Sequence, residues 1–281
     1  MGKKFIVTDL DGTLLDLPNG LSDENKERLN RLIDSGLSLS VATGRDLKKA
    51  KKALKGLKIK YPVILNNGSL LGDLNTGEFW KITTIPDKIF SEIFELAENM
   101  NLKPIVMIGY QPQTGKIRTE KGTWGKKGIT YLSRAQISSF IEHQIVSLQY
   151  HARIEHLNNL YEQIKHKFKD QVKLVYIEDV AYDQLGIEGH WYWLEINSSE
   201  AGKGNMMVEF AHRMNLKLED FVVFGDNTND LELMKLAGRS IAVKNACEEV
   251  KQLANEITES AENLGVVRYI EDHWDEIMLN L

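Results

Sequence analysis

The sequence predicts an α/β protein, an open parallel sheet core with a second, smaller α/β domain inserted into it. Short apolar, β-prone runs alternate with amphipathic helical patterns at both ends of the chain, the rhythm of βαβ units. Three of those runs end in polar or acidic clusters, and open parallel sheets bind ligands beyond the carboxyl ends of their strands. About 160 residues separate Thr43 from Lys203, far more than a crossover connection needs. A further folded unit must fill that gap.

The first strand, Phe5-Ile6-Val7-Thr8, runs into Asp9-Leu10-Asp11-Gly12-Thr13. Residues two apart on a strand face the same way, so Asp9 and Asp11 crowd one small volume at its carboxyl edge. Carboxylates that close repel strongly at low effective dielectric, and a bound cation is the usual remedy. Ser22 caps a helix that runs to about Ser35, with Leu29, Leu32 and Ile33 as its apolar stripe and Gly36 as its stop. Residues 37–43 form the next strand, ending in Thr43-Gly44-Arg45, and 46–57 the next helix. The lysine-rich run 48–55 is that helix's solvated face around Leu47, Ala50 and Leu54, not a nucleic-acid patch. A third parallel strand spans 61–65 and closes on Asn66-Asn67-Gly68; 77–84 is an antiparallel strand leading outward.

We expect the core domain to comprise 1–84 and 191–281 and the inserted domain 85–190, with Pro86 in the first turn of a helix. Within the insertion, helical patterns at 86–100, 134–141 and 156–168 alternate with β-prone runs at 103–108, 144–150 and 172–177. Trp124 sits in a Gly- and Lys-rich loop, 122–128, suited to a substrate-facing surface. Trp191-Tyr192-Trp193 reads as strand core or a domain junction rather than a sugar-stacking platform. After Lys203 the α/β rhythm returns: helix to Met214, strand 221–224, helix 231–236, strand 240–243, then helices to the end.

The chain has 281 residues, 42% of them hydrophobic and 27% charged, which is globular composition. A net charge of −5 gives no general pull toward nucleic acid. The single Cys247 excludes an internal disulfide framework and suits a reducing compartment. No run approaches the ~18 apolar residues of a membrane span, and the N-terminus lacks a signal-peptide core, so a cytoplasmic protein without a membrane partner is expected. The histidines show no zinc-ligand spacing.

Taken in order, Asp9-Leu10-Asp11-Gly12-Thr13, Thr43-Gly44-Arg45, Lys203 in Ala201-Gly202-Lys203-Gly204, and Gly225-Asp226-Asn227-Thr228-Asn229-Asp230 resemble the motifs of the haloacid dehalogenase-like (HAD) phosphohydrolases. Within them the chain is similar to the Cof-type subgroup with a C2-type cap. The resemblance extends into Ile241-Ala242-Val243-Lys244-Asn245-Ala246, where the subgroup usually has Met-Gly in place of Val243-Lys244. Asn227 is likewise not the commonest residue at its position.

That resemblance implies a Rossmann-like core, with the inserted domain as a cap over the active site hinged near Thr84 and Trp191. A cap excludes water and supplies leaving-group contacts. It also implies Mg²⁺-dependent hydrolysis of small phosphorylated metabolites, sugar phosphates foremost, through an aspartyl-phosphate. Asp9 would be the nucleophile and Asp11 the general acid and base. Mg²⁺ would be held by Asp9, the backbone carbonyl of Asp11, and Asp226. Thr43 and Lys203 would grip the phosphoryl oxygens, with backbone amides near Leu10 and Gly44 adding donors. Asp230 would orient Lys203 or the metal's water shell, Asn229 would support the same shell, and Asn67 would lie beside the substrate. For Arg45, an ion pair and a substrate contact are equal expectations. A carboxylic acid at Asp11 argues for turnover to free phosphate. The alternatives are a phosphosugar mutase, which shares the two-acid motif, and a catalytically silent phosphometabolite-binding protein, disfavoured because no reacting residue is missing.

Overall fold

The structure, a computed structural model, describes residues 4–16, 20–109, 114–118, 130–131, 145–178 and 189–279. They form two compact units, one of residues 1–81 with 202–281 and one of residues 82–201. The first unit opens with β1 (Phe5–Thr8), α1 (Asp23–Asp34), β2 (Ser38–Val41), α2 (Leu47–Ala53), β3 (Val63–Leu65), β4 (Leu70–Gly72) and β5 (Phe79–Ile82). The sequence signals at α1 act as expected. The Ser22 hydroxyl accepts the Asn25 amide at 3.1 Å, Leu29 and Ile33 are buried, and Gly36 follows at φ +106°.

The inserted unit contains α3 (Asp87–Asn99), β6 (Ile105–Gly109), β7 (Thr114–Arg118), β8 (Thr130–Tyr131), β9 (Ile145–Arg153), α4 (Ile154–Phe168), β10 (Val172–Glu178) and β11 (Trp191–Ser198). Its six strands run in the order β10-β11-β9-β6-β7-β8. All neighbours are antiparallel except β7 and β8. Phe90, Ile93 and Ala97 of α3 and Leu157, Leu160 and Ile164 of α4 share a buried core with Leu148, Tyr150, Leu194 and Ile196 of the sheet. The chain leaves this unit after Ala201 rather than at His190, because β11 pairs along its length with both β9 and β10. The helical expectation at 134–141, Trp124 and its loop lie outside the described residues.

The chain then completes the first unit with α5 (Lys203–Met214), β12 (Phe221–Gly225), α6 (Leu231–Leu236), β13 (Arg239–Val243), α7 (Glu248–Leu253), β14 (Glu256–Thr258), α8 (Gly265–Asp272) and α9 (Trp274–Leu279). The five-stranded sheet has the order β14-β13-β12-β1-β2 and is parallel throughout. Strands buried this way read as continuous apolar runs because helices lie on both faces. Phe5 meets Phe210 of α5 edge-on at 5.1 Å, whereas Phe224 meets Tyr269 of α8 at 5.4 Å.

Two strands escape the sequence pattern. β4 is three residues long, and β14 carries an exposed Ile257, so neither shows an apolar alternation. β3 is also less regular than expected. It pairs antiparallel with β4 and touches the parallel sheet through a single parallel bridge, Ala42 to Ile64. Among the described residues, no helix is long and apolar enough to cross a membrane.

Candidate active site

β1 lies between β2 and β12, and its register sets the site. The Asp9 amide donates to the Phe224 carbonyl at 3.0 Å, carrying the pairing one residue past the strand end. Asp9 is thereby placed beside the turn that follows β12. Gly12 turns the chain at φ +84°, and a Cβ there would lie 2.6 Å from Asp226 Oδ2, so only glycine fits. The Thr13 hydroxyl donates to Asp226 Oδ1 at 2.7 Å, and Asn245 Nδ2 donates to the Gly12 carbonyl at 2.7 Å. Asp9, Asp226 and Asp230 each offer a carboxylate oxygen, and these atoms lie within 4.8 Å of one another.

Lys203 is the first residue of α5 and reaches into this cluster. Its side chain is buried, with Nζ 2.5 Å from Asp9 Oδ1 and 2.6 Å from Asp230 Oδ1. Asp230 is also fully buried, and its other oxygen accepts the amides of Asp226 at 3.0 Å and Asn227 at 3.1 Å. One carboxylate thus fixes both the lysine and the turn that presents Asp226. Burial opposes the charge on Lys203, but Asp230 and Asp9 outweigh it and hold the ammonium's pKa above the usual lysine value. Burial raises Asp9 well above the ordinary carboxylate range; Lys203 pulls it back and Asp230 adds to the rise. Asp226 is raised as well, chiefly by burial, against the lowering effect of the Thr13 hydroxyl. Lys203 pairs with two of the three acids, so the cluster holds more carboxyl groups than ammonium groups.

A hard divalent cation with oxygen ligands suits that surplus. Asp230 is committed on both oxygens, whereas Asp9 and Asp226 lie carboxylate to carboxylate, within hydrogen-bond reach of each other. The donor set therefore fits Mg²⁺ through Asp9 and Asp226.

Asp11 stands apart from the carboxylate cluster. Arg45 grips it bidentately, Nε to Oδ2 at 2.8 Å and Nη2 to Oδ1 at 2.5 Å. Of the two expectations for Arg45, the structure displays the ion pair. Thr43 is buried at the end of β2, and its hydroxyl accepts the Arg45 amide at 3.1 Å. Leu10 and Gly44 follow the carboxyl ends of β1 and β2. Asn67 and Asn229 meet each other, Asn229 Nδ2 donating to Asn67 Oδ1 at 3.0 Å. Sequence reasoning assigned no role to Thr13 or Asn245. The Gly-Thr pair after the second acid was the available signal for the first, and the resemblance running through residues 241–246 was the signal for the second.

The buried trio makes a testable demand. With EDTA present, Lys203→Met should cost about 3–5 kcal/mol at about pH 7, because Asp9 and Asp230 are left buried without their counter-ion. An acid whose folded pKa is raised destabilises in full above that pKa, and the penalty fades as the pH falls to the unfolded-state value of about 4. The deficit against wild type, measured by urea unfolding, should therefore shrink as the pH falls toward about 5. A deficit independent of pH would contradict the arrangement.

Comparison with known proteins places this geometry in a family. Residues 6–270 match the haloacid dehalogenase-like hydrolase family. The chain is 27% identical to the phosphatase YwpJ of Bacillus subtilis, over 94% of this chain and 97% of that one. It is 26% identical to the pyridoxal phosphate phosphatase YbhA of Escherichia coli, over 97% and 99% of the two chains. Among solved structures it superposes on TM0651 from Thermotoga maritima with a TM-score of 0.78 and 25% identity, covering 96% of this chain and 97% of that one. The chain belongs to the haloacid dehalogenase-like hydrolases.

Proposed function

We propose that this hydrolase is a Mg²⁺-dependent phosphatase of small phosphorylated metabolites, sugar phosphates foremost, working through an aspartyl-phosphate on Asp9. The observation that carries the reading is the setting of Asp9. It is a buried carboxylate at a strand end, with one oxygen on the Lys203 ammonium and Asp226 alongside. Relatives named as phosphatases of pyridoxal phosphate and of 5-amino-6-(5-phospho-D-ribitylamino)uracil support a small phosphorylated substrate.

Phosphate-monoester hydrolysis is accelerated by enzymes up to roughly 10²¹-fold. General acid–base help supplies only about 10²–10⁴. Most of the effect must come from positioned charge and a covalent relay. In the first half-reaction an Asp9 oxygen attacks phosphorus in line, the ester P–O bond breaks, and the leaving alkoxide takes a proton from Asp11. In the second, water loses a proton to Asp11 and attacks phosphorus, releasing phosphate and regenerating Asp9. For the first half, Asp11 must arrive protonated and outside the fork. While the Arg45 fork holds both oxygens of Asp11, neither is free for the water's proton, so Asp11 must swing out of the fork in the second half too.

The Thr43 hydroxyl, the Lys203 ammonium and backbone amides near Leu10 and Gly44 bind the phosphoryl oxygens. Lys203 stays cationic throughout because Asp230 remains its partner. Asp9, Asp226 and the Asp11 carbonyl would hold Mg²⁺, which supplies positive charge against the charge that develops on the phosphoryl group. The inserted unit is assigned the part of cap, and ranking phosphorylated sugars, nucleotides and cofactors by kcat/KM reads its preference. Small sugar phosphates should lead.

Asp9→Asn should abolish phosphate release. Asp11→Asn should slow it by about 10²–10⁴ and leave phosphorylated protein visible by intact-mass measurement. Wild-type release from Asp9→Asn would end the mechanism. EDTA should silence the enzyme and Mg²⁺ restore it. Mg²⁺ at about 100 times its Kd should also stabilise the wild type by about 2.7 kcal/mol, a gain lost in Asp226→Asn. Activity indifferent to EDTA would refute the metal assignment.

A further inference from the structure

The segment after β3 holds three successive residues in the left-handed region, Asn66 at φ +50°, Asn67 at +51° and Gly68 at +88°. Asparagine tolerates that region better than other side-chain-bearing residues, and glycine enters it freely. A run of three is nonetheless an unusual conformation for a plain connection, and such conformations persist where surrounding structure over-determines them.

The contacts show what determines this one. The Asn66 amide donates to the Arg45 carbonyl at 3.0 Å, and the Asn67 amide donates to the Thr43 carbonyl at 3.1 Å. The turn thus holds the Thr43-Gly44-Arg45 loop by the carbonyls on both sides of Gly44. The Asn67 carboxamide lies over Gly44 itself, since a Cβ there would come within 2.9 Å of Asn67 Oδ1. That same oxygen accepts Asn229 Nδ2 at 3.0 Å, from the turn that presents Asp226 and Asp230. On its far side the turn abuts the start of α5. A Cβ on Gly68 would fall 2.1 Å from the Gly202 carbonyl group and 2.6 Å from the Lys203 amide. Three segments distant in sequence, carrying Thr43, Lys203 and Asp226, all touch one uncharged turn.

We infer that Asn67 is a positioning residue. Through its carboxamide it sets the Thr43-Gly44 loop against the Asn229 turn, so that donors and nucleophile meet the phosphoryl group in register. The inference rests on the phosphatase reading above. Asn67 supplies no charge, and the charges that hold a ground-state phosphate come from Lys203 and the cation. Its removal therefore affects alignment more than affinity, and alignment is what small misplacements degrade most.

Asn67→Gly isolates the effect, because glycine keeps the left-handed backbone and deletes only the carboxamide. With the best wild-type substrate, kcat should fall about 5- to 100-fold, KM should stay within about twofold, and the urea midpoint should remain at the wild-type value. Asn229→Ala should show a similar kcat loss, and the double variant should be no slower than the slower single one, as expected of two residues acting as one unit. A kcat for Asn67→Gly within twofold of wild type, or losses that multiply in the double variant, would overturn the inference while leaving the phosphatase reading intact. A wild type that hydrolyses no phosphate ester would overturn that reading, and the inference with it.

Discussion

One buried ammonium organises the site. Lys203 contacts Asp9 at 2.5 Å and Asp230 at 2.6 Å, and none of the three is more than 5% exposed. Without the lysine, two buried carboxylates would face each other in a medium that penalises even one. Without Asp230, the turn that offers Asp226 would lose the acceptor for two of its amides. The lysine comes from a helix start, Asp9 from the end of a central strand, and Asp230 from the turn after β12. The parallel pairing of β1 with β12 is what allows all three to converge. Fold and chemistry meet in that register.

The same constraint explains the division of labour among the acids. Asp9 and Asp226 face each other, Asp230 is spent on structure, and Asp11 is held by Arg45. The three clustered carboxyl groups and the separate Asp11 thus differ in their partners. Environments that push neighbouring acids apart in behaviour are the general route by which one pocket provides a nucleophile, an acid–base group and a metal ligand.

Much of this was legible in the chain. Apolar runs ending in Asp9, Thr43 and Asp226 announced parallel strands with polar carboxyl ends, and the Ser22 and Gly36 signals bounded α1. What stayed hidden depends on distance. Thr13 reads as part of a turn, and only the folded register shows its hydroxyl meeting Asp226. Arg45 could equally have faced substrate; its choice of Asp11 follows from where β1 and β2 end. The pattern in Trp191-Tyr192-Trp193 marks a strand, but which sheet takes that strand is a long-range decision, and it went to the inserted unit. Asn67 was expected beside the substrate, but the contacts of Asn66-Asn67-Gly68 with residues 43–45, 202–203 and 229 emerge only in the fold.

The central claim is that phosphate passes through Asp9 rather than directly to water, and stereochemistry at phosphorus tests it most directly. A phosphorothioate ester made chiral at phosphorus with two oxygen isotopes would be hydrolysed in water carrying the third, so that the thiophosphate released is itself chiral. Two successive in-line displacements, one at Asp9 and one by water, require net retention of configuration. Net inversion would mean a single displacement by water and would contradict the account.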